Sequence, residues 1–67
     1  MIYKVIYFKS NEATETHIYN SSDMKKINEH IDFCMQNEDF VFYEKYKGIN
    51  EKNELGEIIL KWILEQK

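Results

Sequence analysis

Asn53-Glu54-Leu55-Gly56-Glu57-Ile58-Ile59-Leu60-Lys61-Trp62-Ile63-Leu64 is the stretch on which the fold of this 67-residue chain turns. Read with a period of about 3.6, Leu55, Ile58, Ile59, Trp62 and Ile63 fall at i, i+3, i+4, i+7 and i+8, the stripe of a half-buried helix. Asn53 offers a capping side chain, and Glu54 and Glu57 place negative charge in the first turn, near the positive end of the dipole. The spacing therefore predicts a C-terminal helix whose Ile58, Ile59 and Trp62 face the core. Leu60 and Leu64 stand four apart and outside that stripe, so the helix would be apolar on more than one side. In so short a chain the second side calls for another chain, the reading favoured here, or for a C-terminal helix wedged into its own fold. Leu60 and Leu64 are the first candidate partner-binding residues, and a homodimer through the C-terminal helix is one form that contact takes.

Upstream, Ile2 to Phe8 is rich in β-branched and aromatic residues and reads as a strand. Its two faces, Ile2, Lys4, Ile6, Phe8 and Tyr3, Val5, Tyr7, are both largely apolar, as in a central strand covered on both sides. Ser10 to Ala13 reads as a hairpin loop, and Thr14 to Asn20 as a second, more polar edge strand. Ser21-Ser22-Asp23 is a helix start, a hydroxyl cap followed by an acid near the positive end of the dipole. Met24, Ile27, Ile31, Cys34 and Met35 then follow at helical spacing, predicting a helix over about Ser22 to Asn37. On its polar side Phe33 lies about 180° from Met24, beside Glu29. Phe33 and Glu29 join the candidate partner-binding residues. Phe40 to Tyr46 reads as a third strand stopped by Gly48, with a polar loop to Asn53.

The order β-β-α-β-α predicts an α+β fold in a single domain over residues 1–67. Its sheet would have three antiparallel strands, in the order 2-1-3, with two helices packed on it. The expected core is Ile2, Ile6 and Phe8 from the first strand and Ile27 and Ile31 from the first helix. Phe42, Ile58, Ile59 and Trp62 complete it.

Composition narrows the function classes. A chain of this length buries only about 60% of its unfolded surface, too little to build both a cofactor fold and a substrate domain. All nine basic residues are Lys, against twelve Asp plus Glu, for a net charge of −3. Without Arg there is no planar fork for phosphate or guanine, and the acidic balance argues against tight nucleic-acid binding. Lys, Asn, Ile, Tyr and Phe supply 33 of the 67 residues. Their AT-rich codons point to a low-GC genome, and a short Arg-free, Pro-free frame of this kind is common in phages and mobile elements. The single cysteine, Cys34, permits no internal disulfide and fits a reducing cytoplasm. No window approaches the length of a membrane span, and no membrane contact is expected.

Residues that could carry chemistry are few. His30 and Cys34 share a helix side, and His17 could complete three metal ligands, but no CxxC or HExxH spacing supports a zinc site. The carboxylates Glu38-Asp39 and Glu51, Glu54, Glu57 do not form a cleft pair. The reading is non-enzymatic, with no catalytic residue, metal or cofactor. Tyr3, Tyr7, Tyr43 and Tyr19 can line one sheet face, either as a stacking platform for single-stranded nucleic acid or as packing under the second helix.

Ile2-Tyr3-Lys4-Val5-Ile6-Tyr7, a polar hairpin, a helix and the strand Phe40-Val41-Phe42-Tyr43 together resemble the small RNA polymerase epsilon subunit of low-GC Gram-positive bacteria. They also resemble phage polymerase inhibitors of similar size. That resemblance, which covers about two thirds of the chain as a pattern of strands, implies an accessory subunit or regulator of the cell's own polymerase. The residues themselves favour a non-catalytic interaction protein, encoded by a phage or mobile element. It would inhibit or modulate a host complex such as a defence nuclease (a CRISPR effector) or RNA polymerase.

Overall fold

The computed structural model describes residues 2–66. Strand β1 (Ile2–Lys9) pairs antiparallel with β2 (Thr14–Tyr19) through a loop in which Glu12 takes a positive φ of 66°. Helix α1 (Met24–Met35) follows, then β3 (Phe40–Lys52) and β4 (Ile58–Gln66). The sheet has four antiparallel strands in the order β2-β1-β3-β4.

The expected three-stranded sheet with two helices is thus corrected in its last third. The C-terminal segment is a strand, and α1 is the single helix among the described residues. The physical reason lies in the turn. Asn53 does cap, but it caps a hairpin: its Oδ1 accepts from the Leu55 and Glu57 backbone N–H groups at 3.0 and 2.9 Å. The backbone closes from Asn53 N–H to Glu57 O at 3.0 Å, and Gly56 sits at φ +79°, the left-handed conformation that glycine adopts without strain. Ile58, Ile59 and Ile63 are β-branched and suit the extended state that follows. β3 also runs past Gly48 to Lys52 rather than stopping there.

Asp23, not a serine, caps α1: its Oδ1 accepts from Lys26 N–H at 3.3 Å, while Ser21 Oγ accepts from Asp23 N–H at 3.0 Å. The helix lies on one face of the sheet. There Ile27 and Ile31 pack on Tyr3, Val5 and Tyr7, all buried. Met24, Cys34, Tyr19, Phe40 and Tyr43 close the margins of this core. Lys45 is buried on the same face, its ammonium 5.5 Å from the Tyr3 ring centroid.

Of the other residues expected in the core, Ile2, Ile6, Phe8 and Trp62 are half-buried and Phe42, Ile58 and Ile59 are exposed. The core is built on the opposite side of β1, because only one helix exists to cover the sheet and it takes the Tyr3-Val5-Tyr7 side. Among the described residues the last β1–β3 pair is Ile2 with Gly48, and β3 and β4 continue beyond it as a two-stranded arm. No helix among the described residues is long and apolar enough to cross a membrane.

Candidate interaction surface

Away from the bulges at Val41 and Glu65, the strand registers assign the side chains of the sheet to its two faces. Opposite Ile2, Lys4, Ile6 and Phe8 stand Gly48, Tyr46, Glu44 and Phe42 of β3, and opposite Lys4 on the other side stands Ile18 of β2. Tyr46, Gly48, Asn50 and Lys52 in turn face Leu64, Trp62, Leu60 and Ile58 of β4. Directly opposed residues of an antiparallel pair share a face, so all of these project away from α1. No helix covers them. Ile18, Phe42, Ile58, Leu60 and Leu64 are exposed at 54, 45, 68, 46 and 39% of their full area.

Aromatic packing organises the face. Phe8 and Phe42 stack with ring centroids 4.4 Å apart and planes within 8°. The Lys4 ammonium lies 4.8 Å from the Tyr46 ring centroid and 4.6 Å from that of Trp62, so one cation is shared by two rings. Trp62 reaches this position across Gly48, where there is no Cβ to obstruct it. Burial raises the Tyr46 phenol above its ordinary value, helped by its hydrogen bond to Glu44 at 3.1 Å.

Leu60 and Leu64 remain surface residues, but for a different reason than helical spacing. In β4 they alternate with Lys61 and Ile63, and Trp62 stands between them on the same face. Phe33 and Glu29 are exposed on α1, across the sheet from that face, so the four expected contact residues do not form one surface. Ile18, Phe42 and Ile58 belong to the apolar face and were not among those expected contacts. Two-residue alternation through 58–64 is the signal that places Ile58 there.

The tyrosine-rich side is the covered one, under α1 rather than under a second helix. Tyr7 and Tyr19 hydroxyls are 3.0 Å apart, and the Tyr19 hydroxyl lies 2.5 Å from His30 Nδ1. With Tyr7 donating to Tyr19 and Tyr19 to His30, each hydroxyl proton is used once; this proton placement is assigned from the network. Burial pushes the Tyr7 phenol far above its ordinary value, with the Tyr19 contact adding to it, and burial raises Tyr19 as well. His17 and His30 ring centroids are 5.2 Å apart, and Cys34 Sγ is 3.9 Å from His30 Nδ1. Among the described residues no three His, Cys, Asp or Glu side chains converge as a metal site. A small cleft beside this cluster is lined by Tyr7, Lys9, Glu15, Cys34, Asn37, Asp39 and Phe40. Lys9 lies 3.0 Å from Glu15 and 3.8 Å from Asp39, and Glu15 also meets His17 Nε2 at 2.7 Å. These pairings raise the Lys9 ammonium and lower the Glu15 carboxyl.

No protein-family model, curated protein or solved structure matches the chain.

Proposed function

We propose that this chain is a non-catalytic protein-interaction module and that the helix-free face of its sheet is the contact surface. One observation carries the reading. A four-stranded sheet is covered on one side only, and the uncovered side holds Ile18, Phe42, Ile58, Leu60 and Leu64 in exposed positions around a half-buried Trp62. Contiguous apolar patches on small domains mark protein contacts, and an indole held in place by Lys4 is the kind of anchor that dominates binding energy. The fuller form of the proposal is inhibition or modulation of a host complex by a phage or mobile-element protein. The AT-rich composition supports the origin, and the net charge of −3 supports steering toward a basic partner surface. Inhibition would be steric, by occupation of the partner's surface.

Photo-crosslinking in the source cell tests this. A benzophenone side chain placed at position 60 is compared with one at position 25, exposed on α1. The expected result is a discrete protein adduct, with another protein or with a second copy, from position 60 and none from position 25. No adduct from position 60, or the same adducts from both positions, overturns the reading.

A further inference from the structure

We infer that the α1 side of the β3–β4 ribbon is a docking shelf for an acidic amphipathic helix of another protein. The shelf lies across the sheet from the apolar face read above as the contact surface and is independent of that reading.

Helix α1 covers only part of its own side of the sheet. Ile27 and Ile31 pack on Tyr3, Val5 and Tyr7 of β1, while Ile59 and Ile63 of β4 stay exposed. The registers show what else stands on the uncovered strip. Lys47 and Lys45 are opposite Tyr3 and Val5, so both lysines share α1's side. Lys47, Ile49 and Glu51 in turn face Ile63, Lys61 and Ile59 across the regular part of the β3–β4 ladder. Lys45 takes its face from its pairing with Val5, so the bulge in β4 does not enter the assignment. Lysine and isoleucine therefore interleave on one strip.

Lys45 anchors the charge of this strip. It is 7% exposed, yet among the described residues no carboxylate lies within ion-pair distance of its ammonium. No buried side-chain nitrogen among them lacks a partner, so the aliphatic stem is buried and the ammonium opens at the surface. A cation held by a buried stem has little rotamer freedom left to lose on pairing. Among the described residues Lys47 has no carboxylate partner either, and Lys61 meets Glu51 at 3.5 Å. Three lysines against one glutamate make the strip basic on a chain whose net charge is −3. Its electrostatic complement is a partner bearing carboxylates.

Shape narrows that partner to a helix. Two strands about 4.8 Å apart make a strip about 10 Å wide, close to the diameter of one α-helix. Lys45 to Glu51 spans roughly 20 Å at about 3.3 Å per residue, room for about four helical turns. An extended segment lying flat would leave its backbone N–H and C=O groups without ladder partners, whereas a helix satisfies its own. The isoleucines meet the apolar stripe of that helix, and the lysines meet its flanking carboxylates. A nucleic-acid base has no stacking platform here, since these side chains include no aromatic and the chain has no Arg. The α1 helix of a second copy does not suit the shelf, because Lys25 and Lys26 offset Glu29 and Asp32 on it.

Titration of the isotope-labelled full chain with a synthetic peptide, followed by amide chemical shifts, tests the inference. The probe is a helical peptide of about 15 residues, roughly 22 Å long, with leucines at helical spacing and glutamates on the flanks. Shifts are expected at Lys47, Ile49, Lys61 and Ile63, with Ile18 and Phe42 unmoved. The same peptide with lysine for glutamate should bind at least about tenfold more weakly. Lys45→Met keeps the buried stem and removes the ammonium, and Lys47→Glu reverses a charge. Each should weaken the acidic peptide about two- to fivefold in a chain that circular dichroism shows folded. The comparison of the two peptides on wild type does not depend on either variant folding. No binding, equal binding of both peptides, or shifts centred on Ile18 and Phe42 overturns the inference. Tighter binding of a single-stranded oligonucleotide or of phosphatidylglycerol vesicles through the same lysines overturns it as well. A failed titration leaves crosslinking through position 60 untouched, so failure here and failure of the contact-surface reading are distinguishable.

Discussion

Gly48 stands directly across the β3–β4 ladder from Trp62, and the indole lies over it. A Cβ at position 48 would come within 3.1 Å of indole Cζ3, 3.0 Å of Leu60 Cδ1 and 2.5 Å of Ile2 Cγ2. Gly48→Ala removes the entropic cost of a strand glycine, a gain of about 0.5–1 kcal/mol. Against this, Ile2 Cγ2 is a branch on Cβ and moves only if χ1 changes, and overpacking of this kind costs about 1–3 kcal/mol. Crowding wins, so Gly48→Ala should lower the urea midpoint with little change in slope. The indole emission should also shift as the ring leaves Lys4. Unchanged stability and emission would mean that the indole does not need the space above Gly48.

That close approach shows where the sequence is readable and where it is not. The alternation Tyr3-Val5-Tyr7 against Ile2-Lys4-Ile6-Phe8 marks β1 as central, and Ile27 and Ile31 at i, i+4 mark the helix face that meets it. Both features appear in the molecule. Residues 58–64 are different. With six apolar residues and one Lys, the stretch satisfies a period of 3.6 and a period of 2 together, so periodicity cannot choose. Asn53 serves helix and hairpin equally, since its side chain accepts from backbone N–H groups just downstream in either case: two or three residues on in a helix cap, two and four on in this hairpin. Gly56 and the three β-branched isoleucines carry the deciding information, and a helical wheel gives them no weight. A second helix would cover both faces of β1, so Ile2, Ile6 and Phe8 read as core; with α1 alone, their face lies open.

Glu15 links pH to stability. Its carboxyl is lowered chiefly by Lys9 and next by His17, from an ordinary value of 4.5. A depressed folded-state value contributes stability that is present above the unfolded value and lost as pH falls through the folded one. Thermal stability should therefore decline below about pH 4.5. Glu15→Gln should flatten this limb while leaving the neutral-pH melting temperature nearly unchanged, because the pair is exposed. Melting curves from pH 2 to pH 7 check it; an identical acid limb in the variant would remove Glu15 from the account.

The Tyr7–Tyr19–His30 chain predicts the opposite limb. Both phenols are raised from 10.0 by burial, so the unfolded chain ionises first as pH rises. Their contribution is intact below about pH 10 and is lost above it. Tyr19→Phe removes the middle member, so the Tyr7 hydroxyl and His30 Nδ1 both lose the Tyr19 hydroxyl and keep only the weakly bonding Cys34 sulfur nearby, at a cost of about 1–3 kcal/mol. Phenolate absorbance should show Tyr7 ionising only with unfolding in wild type. Reversible ionisation of all five tyrosines near pH 10 in the folded protein would contradict the buried network.

Ile27 and Ile58 separate the two faces of the sheet most directly. Ile27 is 2% exposed, wedged between α1 and the Tyr3-Val5-Tyr7 row, whereas Ile58 is 68% exposed at the tip of the β3–β4 arm, paired with Lys52 beside the turn. Ile27→Ala removes buried methyl groups and leaves a cavity, costing about 2–5 kcal/mol. A domain this small holds roughly 3–10 kcal/mol in all, so that single change should leave much of the chain unfolded at room temperature. Ile58→Thr keeps the β-branch and replaces solvent-facing carbon with hydroxyl, so it should move stability by no more than about 0.5 kcal/mol. Urea titrations followed by circular dichroism decide it. A loss of several kcal/mol on Ile58→Thr would return Ile58 to a buried stripe and the C-terminal segment to a helix. A silent Ile58→Thr beside a crippling Ile27→Ala would establish that the chain keeps its core under α1 and that Ile58 is no part of it.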